Sequence, residues 1–138
     1  MVKPEFVFLY QTYMDSFCSK IVEFFRDNDC EETIIALTLR EIFLNDLIYI
    51  SQTNKWQQYV SKKKEWSHFD IQKLVQSVPK VTTFYEKDLT NYLYSSKLQS
   101  IETFYIKKQI KAMVAHANDK WNTQLFVEKC KECFRIAS

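Results

Sequence analysis

The chain has 138 residues, 46% of them apolar, 16% aromatic and 26% charged, with a formal net charge of +2. That is enough apolar material for one domain with its own core, and it excludes a disordered chain. The chain has no glycine, which excludes the phosphate loop, the dinucleotide-binding fingerprint, the GxSxG nucleophile elbow and the kinase glycine loop, all of which need close backbone approach or strained turns.

Tight primed hairpin turns also lean on glycine, or on Asn or Asp in its place. With Pro4 and Pro79 the only prolines, the sequence predicts an all-α fold, a compact bundle of six or seven helices forming a single helical domain over residues 1–138.

The first element starts at Pro4, a residue suited to the first turn of a helix. Phe6, Leu9, Tyr10, Tyr13, Phe17, Ile21 and Phe24 recur every three or four residues, with Glu5, Thr12, Ser16, Ser19, Glu23 and Arg26 opposite, so an amphipathic helix is predicted. Asp27-Asn28-Asp29 interrupts the pattern. Asn28 or Asp29 is expected to N-cap a second helix, with Glu31 and Glu32 in its first turn. That helix is predicted to reach Ser51. Apolar residues from Ile34 to Ile50 leave a narrow polar stripe at Thr38, Glu41 and Asn45, the pattern of a central, almost entirely apolar second helix. Arg40, Glu41, Asn45 and Asp46 argue against a membrane span.

Thr53-Asn54 reads as the cap of a third helix carrying Trp56, Tyr59, Val60 and Trp66. Ser67-His68-Phe69-Asp70 has capping-box spacing and opens a short helix through Ile71, Leu74, Val75 and Val78. It should end before Pro79. Thr83-Phe84-Tyr85-Glu86 repeats the capping spacing and starts a helix with Leu89, Tyr92 and Leu93. That helix breaks at Ser95, Ser96 or Ser100, or runs on to Ala117 past Ile106, Ile110, Met113 and Val114. After Asn118-Asp119, a last helix carries Phe126, Cys130, Cys133, Phe134 and Ala137.

Charge is uneven: residues 1–53 carry a net −5 and residues 54–138 a net +7. Within the basic part, Trp56, Tyr59, Lys62, Lys63, Lys64 and Trp66 form a candidate surface for a partner or a nucleic acid, and Lys107, Lys108 and Lys111 a second basic patch. Lysines neutralise phosphates, and aromatic rings stack on unpaired bases. On a helix, however, Trp56, Tyr59 and Val60 share a face and would point into the core, leaving the lysines in water. The aromatic excess offers a further surface, because a small domain can bury only so many rings and leftover apolar area marks a partner or homodimer face.

Cys130-Lys131-Glu132-Cys133 lacks the second ligand pair of a zinc site, and its thiols are expected to be buried beside Phe126 and Phe134. Asp27, Asp29, Glu31 and Glu32 lack the turn glycine of a calcium loop and read as helix-boundary charge. His68 and His116 have no nucleophile near them in sequence. A catalytic role would need a cleft that gathers His116 with two carboxylates or Cys133. No catalytic residue, metal, cofactor or small-molecule substrate is therefore expected. The opening Met-Val-Lys-Pro-Glu has no basic-then-apolar signal, so reduced thiols and an intracellular location, cytoplasm or nucleus, are expected. The expected function is a non-catalytic interaction module that binds another protein or a second copy of itself, with no membrane partner. Nucleic acid held by the basic C-terminal two-thirds is the alternative.

Overall fold

The computed structural model describes residues 4–95 and 100–136, with side chains from Tyr13 onward. The predicted apolar positions Phe6, Leu9 and Tyr10, the candidate break at Ser96 and the last apolar position Ala137 lie outside the described side chains. Helix α1 (Pro4–Asp27) ends as Asn28 donates its side-chain amide to Phe24 O at 3.0 Å. Asn28 thus caps the helix before it, not the one after. Helix α2 (Glu31–Phe43) is entered through Cys30, which makes no side-chain cap.

The second helix is shorter than its apolar run. Leu44 has φ 53 and ψ −123, so it cannot extend the helix, and its N–H bonds to Arg40 O. A short 3₁₀ turn (Leu44–Asp46) then leads into strand β1 (Leu47–Ile50). Strands β2 (Lys55–Val60) and β3 (Glu65–His68) complete an antiparallel meander in the order β1-β2-β3. Leu47-Ile48-Tyr49-Ile50 is a short apolar run that periodicity cannot separate from a buried helix, and its β-branched and aromatic content favours the pleated form.

The all-α expectation is therefore overturned: the described residues form five helices, the π-interrupted stretch from Gln72 to Ser95 counted as one, and a three-stranded antiparallel sheet. The predicted third helix is the β2–β3 hairpin, and the predicted cap Thr53-Asn54 is a hairpin turn. Ile50 pairs with Lys55 and Val60 with Glu65, so residues 51–54 and 61–64 are four-residue loops. Such loops are built around a type I turn, as the Lys63 N–H to Val60 O bond shows at 3.1 Å. Each requires one left-handed residue near its end, and Asn54 and Lys64, both at φ 53, supply it without glycine.

Helix α3 (Gln72–Phe84) is opened by Asp70, whose carboxylate accepts from the Gln72 N–H at 3.0 Å. Ser67, the residue expected to cap it, lies in β3. The helix does not stop at Pro79. It passes through the proline, takes a π-helical turn (Tyr85–Leu89) and continues as α4 (Thr90–Ser95). Thr83, expected to start a new helix, instead donates its hydroxyl to Pro79 O at 2.9 Å within this one. Thr90 donates to Tyr85 O across the π turn at 3.0 Å, giving a second donor to a carbonyl where the regular ladder is shifted. Helix α5 (Ser100–Asp119) and helix α6 (Thr123–Phe134) follow, the latter N-capped by Asn122 through the Leu125 N–H. No helix among the described residues is long and apolar enough to cross a membrane.

Helix α2 packs against α1, α3, α5 and α6. Ile34, Ile35, Ala36 and Leu39 meet Phe17, Ile21, Phe25, Leu74, Leu89 and Phe126 in one continuous core. The sheet adds its inner face: Tyr49 and Trp56 are paired across β1 and β2, and the Trp56 ring stands 5.6 Å from Phe134. The end of α6 is tied to the sheet by the Ile136 N–H to Tyr49 O bond at 3.3 Å.

Candidate functional site

Directly opposed residues in an antiparallel pair share a face. Tyr59 lies opposite Trp66 and Gln57 opposite His68, on the side away from Trp56. The Tyr59 and Trp66 rings are 5.5 Å apart, and Trp66 is 43% exposed. Lys62, Lys63 and Lys64 are all exposed in the loop that joins the two strands. The structure therefore brings Tyr59, Trp66 and the three lysines together at a hairpin tip. Trp56, expected beside them, is 5% exposed and belongs to the core.

The second basic patch lies on α5. Lys107, Lys108 and Lys111 line a groove of about 690 Å³ together with Tyr94, Phe104 and Glu86. The Lys107 ammonium sits 3.2 Å from the Tyr94 ring centroid, a cation–π contact at the groove wall. A hydrogen bond from Lys107, and then the charges of Lys107 and Lys111, hold the exposed Tyr94 phenol below the ordinary tyrosine value. Next to the lysines stand residues that the sequence pattern did not single out. Ile101 is 82% exposed, Phe104 69% and Tyr105 57%. Their spacing of three and one places them on one side of α5, offset from its buried stripe of Ile106, Ile110 and Met113. A second apolar stripe in the first half of this helix was the signal available for them.

The remaining candidates divide. Cys130 is buried and Cys133 half-buried; all four cysteines are free, and burial pushes both CxxC thiols above their ordinary value. His68 is exposed on the outer face of the sheet. His116 is brought to the start of α2: its Nε2 lies 2.7 and 3.0 Å from the two carboxylate oxygens of Glu32, which is 2% exposed. Glu31 is close enough that one ligand atom from each of the three residues falls within 4.8 Å of the others. Glu32 thus has a partner from another helix in addition to the dipole of its own. Asp27 and Asp29 are exposed and not part of this group. No protein-family model matches the chain, and no curated protein or solved structure is significantly similar to it.

Proposed function

We propose that the chain is a non-catalytic interaction module whose α5 surface takes an acidic, amphipathic segment of another protein. The observation that carries this reading is the juxtaposition of exposed Ile101, Phe104 and Tyr105 with Lys107, Lys108 and Lys111 on one helix. Large apolar side chains left in water beside a groove mark a contact surface. Lysines at the rim favour an acidic partner and speed its encounter more than they add affinity. Ile101 speaks for protein over nucleic acid at this site, because an aliphatic side chain offers no ring on which a base can stack.

Selection from a random peptide library displayed on phage tests this directly. Enriched peptides should combine acidic with large apolar residues, bind more weakly as salt rises, and lose on the order of tenfold in affinity to Phe104→Ser, the scale of a central interface residue. No enrichment, or binding indifferent to Phe104→Ser, refutes the reading. Light scattering on the same variant reports whether a second copy of the chain is the partner.

The hairpin tip supports a second reading. Tyr59 and Trp66 beside Lys62, Lys63 and Lys64 offer a stacking platform and phosphate neutralisation in one place. Single-stranded RNA and DNA should then bind at low salt, with a shallower salt dependence once the three lysines are replaced by Ala.

A further inference from the structure

We propose that Glu31, Glu32 and His116 form a binding site for one divalent transition cation of the zinc kind, independent of the α5 surface. The donors come from two helices, the first turn of α2 and the last turns of α5, so the site would also fasten those helices together. Glu32 carries the argument. Its carboxylate is buried, and its side-chain hydrogen-bond partner among the described residues is a single imidazole nitrogen that serves both oxygens at 2.7 and 3.0 Å. An ionised carboxylate offers about four acceptor positions, so a carboxylate whose two oxygens share one imidazole nitrogen keeps positions open to a cation.

The distances already suit a metal. Zinc–nitrogen and zinc–oxygen bonds of about 2.0–2.2 Å put neighbouring ligand atoms roughly 3 Å apart. The Nε2 of His116 and the oxygens of Glu32 stand at that separation. The Glu31 ligand atom lies within 4.8 Å of the other two, so a movement of at most about 2 Å completes the set. Glu31 is half-buried and at the helix end, where such a movement is a rotamer adjustment.

Charge also favours a cation. The N-terminus of α2 contributes about half a positive charge, which opposes a cation, but two full negative charges outweigh it. Mixed imidazole and carboxylate donors select zinc-like or manganese-like ions over calcium, which prefers an all-oxygen shell. Water would fill the remaining positions. Trp121 packs against His116 with ring centroids 6.0 Å apart and closes one side of the group.

The test uses the full, untagged chain. Zn²⁺ is titrated by calorimetry and Co²⁺ by visible absorption, with wild type, Glu31→Gln, His116→Gln and Cys130→Ser compared. The site predicts one equivalent of metal, a cobalt spectrum without sulfur charge-transfer bands, affinity at least about tenfold weaker in Glu31→Gln and His116→Gln, and no change in Cys130→Ser. Glu31→Gln is the deciding variant if His116→Gln fails to fold, because Glu31 takes no part in the buried pair. No stoichiometric binding, binding that Glu31→Gln leaves unchanged, or thiolate bands that disappear in Cys130→Ser would each overturn the proposal.

Discussion

Replacing Thr38 by Val should destabilise the protein more than replacing Tyr85 by Phe, although the two changes delete opposite ends of one hydrogen bond. Both residues are 0% exposed, and their hydroxyl oxygens are 2.5 Å apart. Thr38 has one hydroxyl proton, which goes to Ile34 O at 2.9 Å. Tyr85 is therefore the donor of the pair and Thr38 the acceptor. Burial pushes the phenol above the ordinary tyrosine value, so it keeps that proton at neutral pH. Tyr85→Phe leaves Thr38 donating as before and costs the net worth of one hydrogen bond, about 1 kcal/mol. Thr38→Val strands a fully buried phenol without an acceptor, and the desolvation of that group brings the loss to roughly 2–3 kcal/mol. The double variant has no stranded group, so its loss should stay close to that of Tyr85→Phe alone, a coupling of roughly 2–3 kcal/mol. Equilibrium urea unfolding of the four proteins measures all of these terms, provided the slope with denaturant is constant. Equal losses in the two single variants, or a double variant equal to their sum, would refute the donor assignment.

Trp56→Ala should cost about 3–5 kcal/mol, as for a large ring removed from a core, and Trp66→Ala less than about 1.5 kcal/mol because much of its ring is already in water; similar losses in urea would place Trp66 in the core. Leu44→Gly should raise the urea midpoint, since relief of a strained backbone worth about 1–3 kcal/mol exceeds a glycine entropy cost of about 0.5–1 kcal/mol. A fall in the midpoint would mean that the half-exposed Leu44 side chain contributes more than its backbone costs. Burial pushes the Cys18 thiol up to about 11 and Cys130 higher still, so iodoacetamide at pH 8 should modify Cys30 well before either of them. The Cys18 rate should climb about tenfold per pH unit toward that value; early labelling of Cys18 at pH 8 would contradict its burial.

The helical periodicity was legible where elements were long. The buried stripe of α6 and the Ile106, Ile110 and Met113 stripe of α5 follow from spacing alone, whereas in α1 Phe17 and Ile21 are buried as expected but Tyr13 is 53% exposed, and Cys18, Val22 and Phe25 complete the buried face. Failures cluster where a local signal had two physical explanations. Pro79 leaves the Val75 carbonyl without its helical donor, but the flanking Val78 and Val81 are buried. Packing on both sides of the proline outweighs a local cost of about 3 kcal/mol. The Glu31–Glu32–His116 group joins residues more than eighty positions apart. No local pattern could bring His116 to the start of α2, because that meeting depends on how α5 crosses α2. Phe104 and Tyr105 were missed for a different reason: one clear apolar stripe on α5 drew attention from a second.

The lack of glycine costs a hairpin less than an all-α expectation requires. A type I′ two-residue turn demands two residues at positive φ, whereas each four-residue loop here has one. Asn54 accepts that geometry readily, and its side chain receives a hydrogen bond from the Tyr49 hydroxyl at 2.7 Å. Lys64 bears a penalty of about 1–2 kcal/mol. Against this, burying a side chain such as Leu47 contributes about 1.5–3 kcal/mol, and Leu47, Tyr49 and Trp56 all lie on the inner face of the sheet. Composition thus sets what a turn costs, while the apolar residues on either side of it decide whether that cost is met. The consequence reaches the surface. On a helix, three consecutive lysines would spread around the cylinder at about 100° each. In the β2–β3 loop they are confined to a single turn beside Tyr59 and Trp66, a denser positive charge than the helical reading could produce from the same residues.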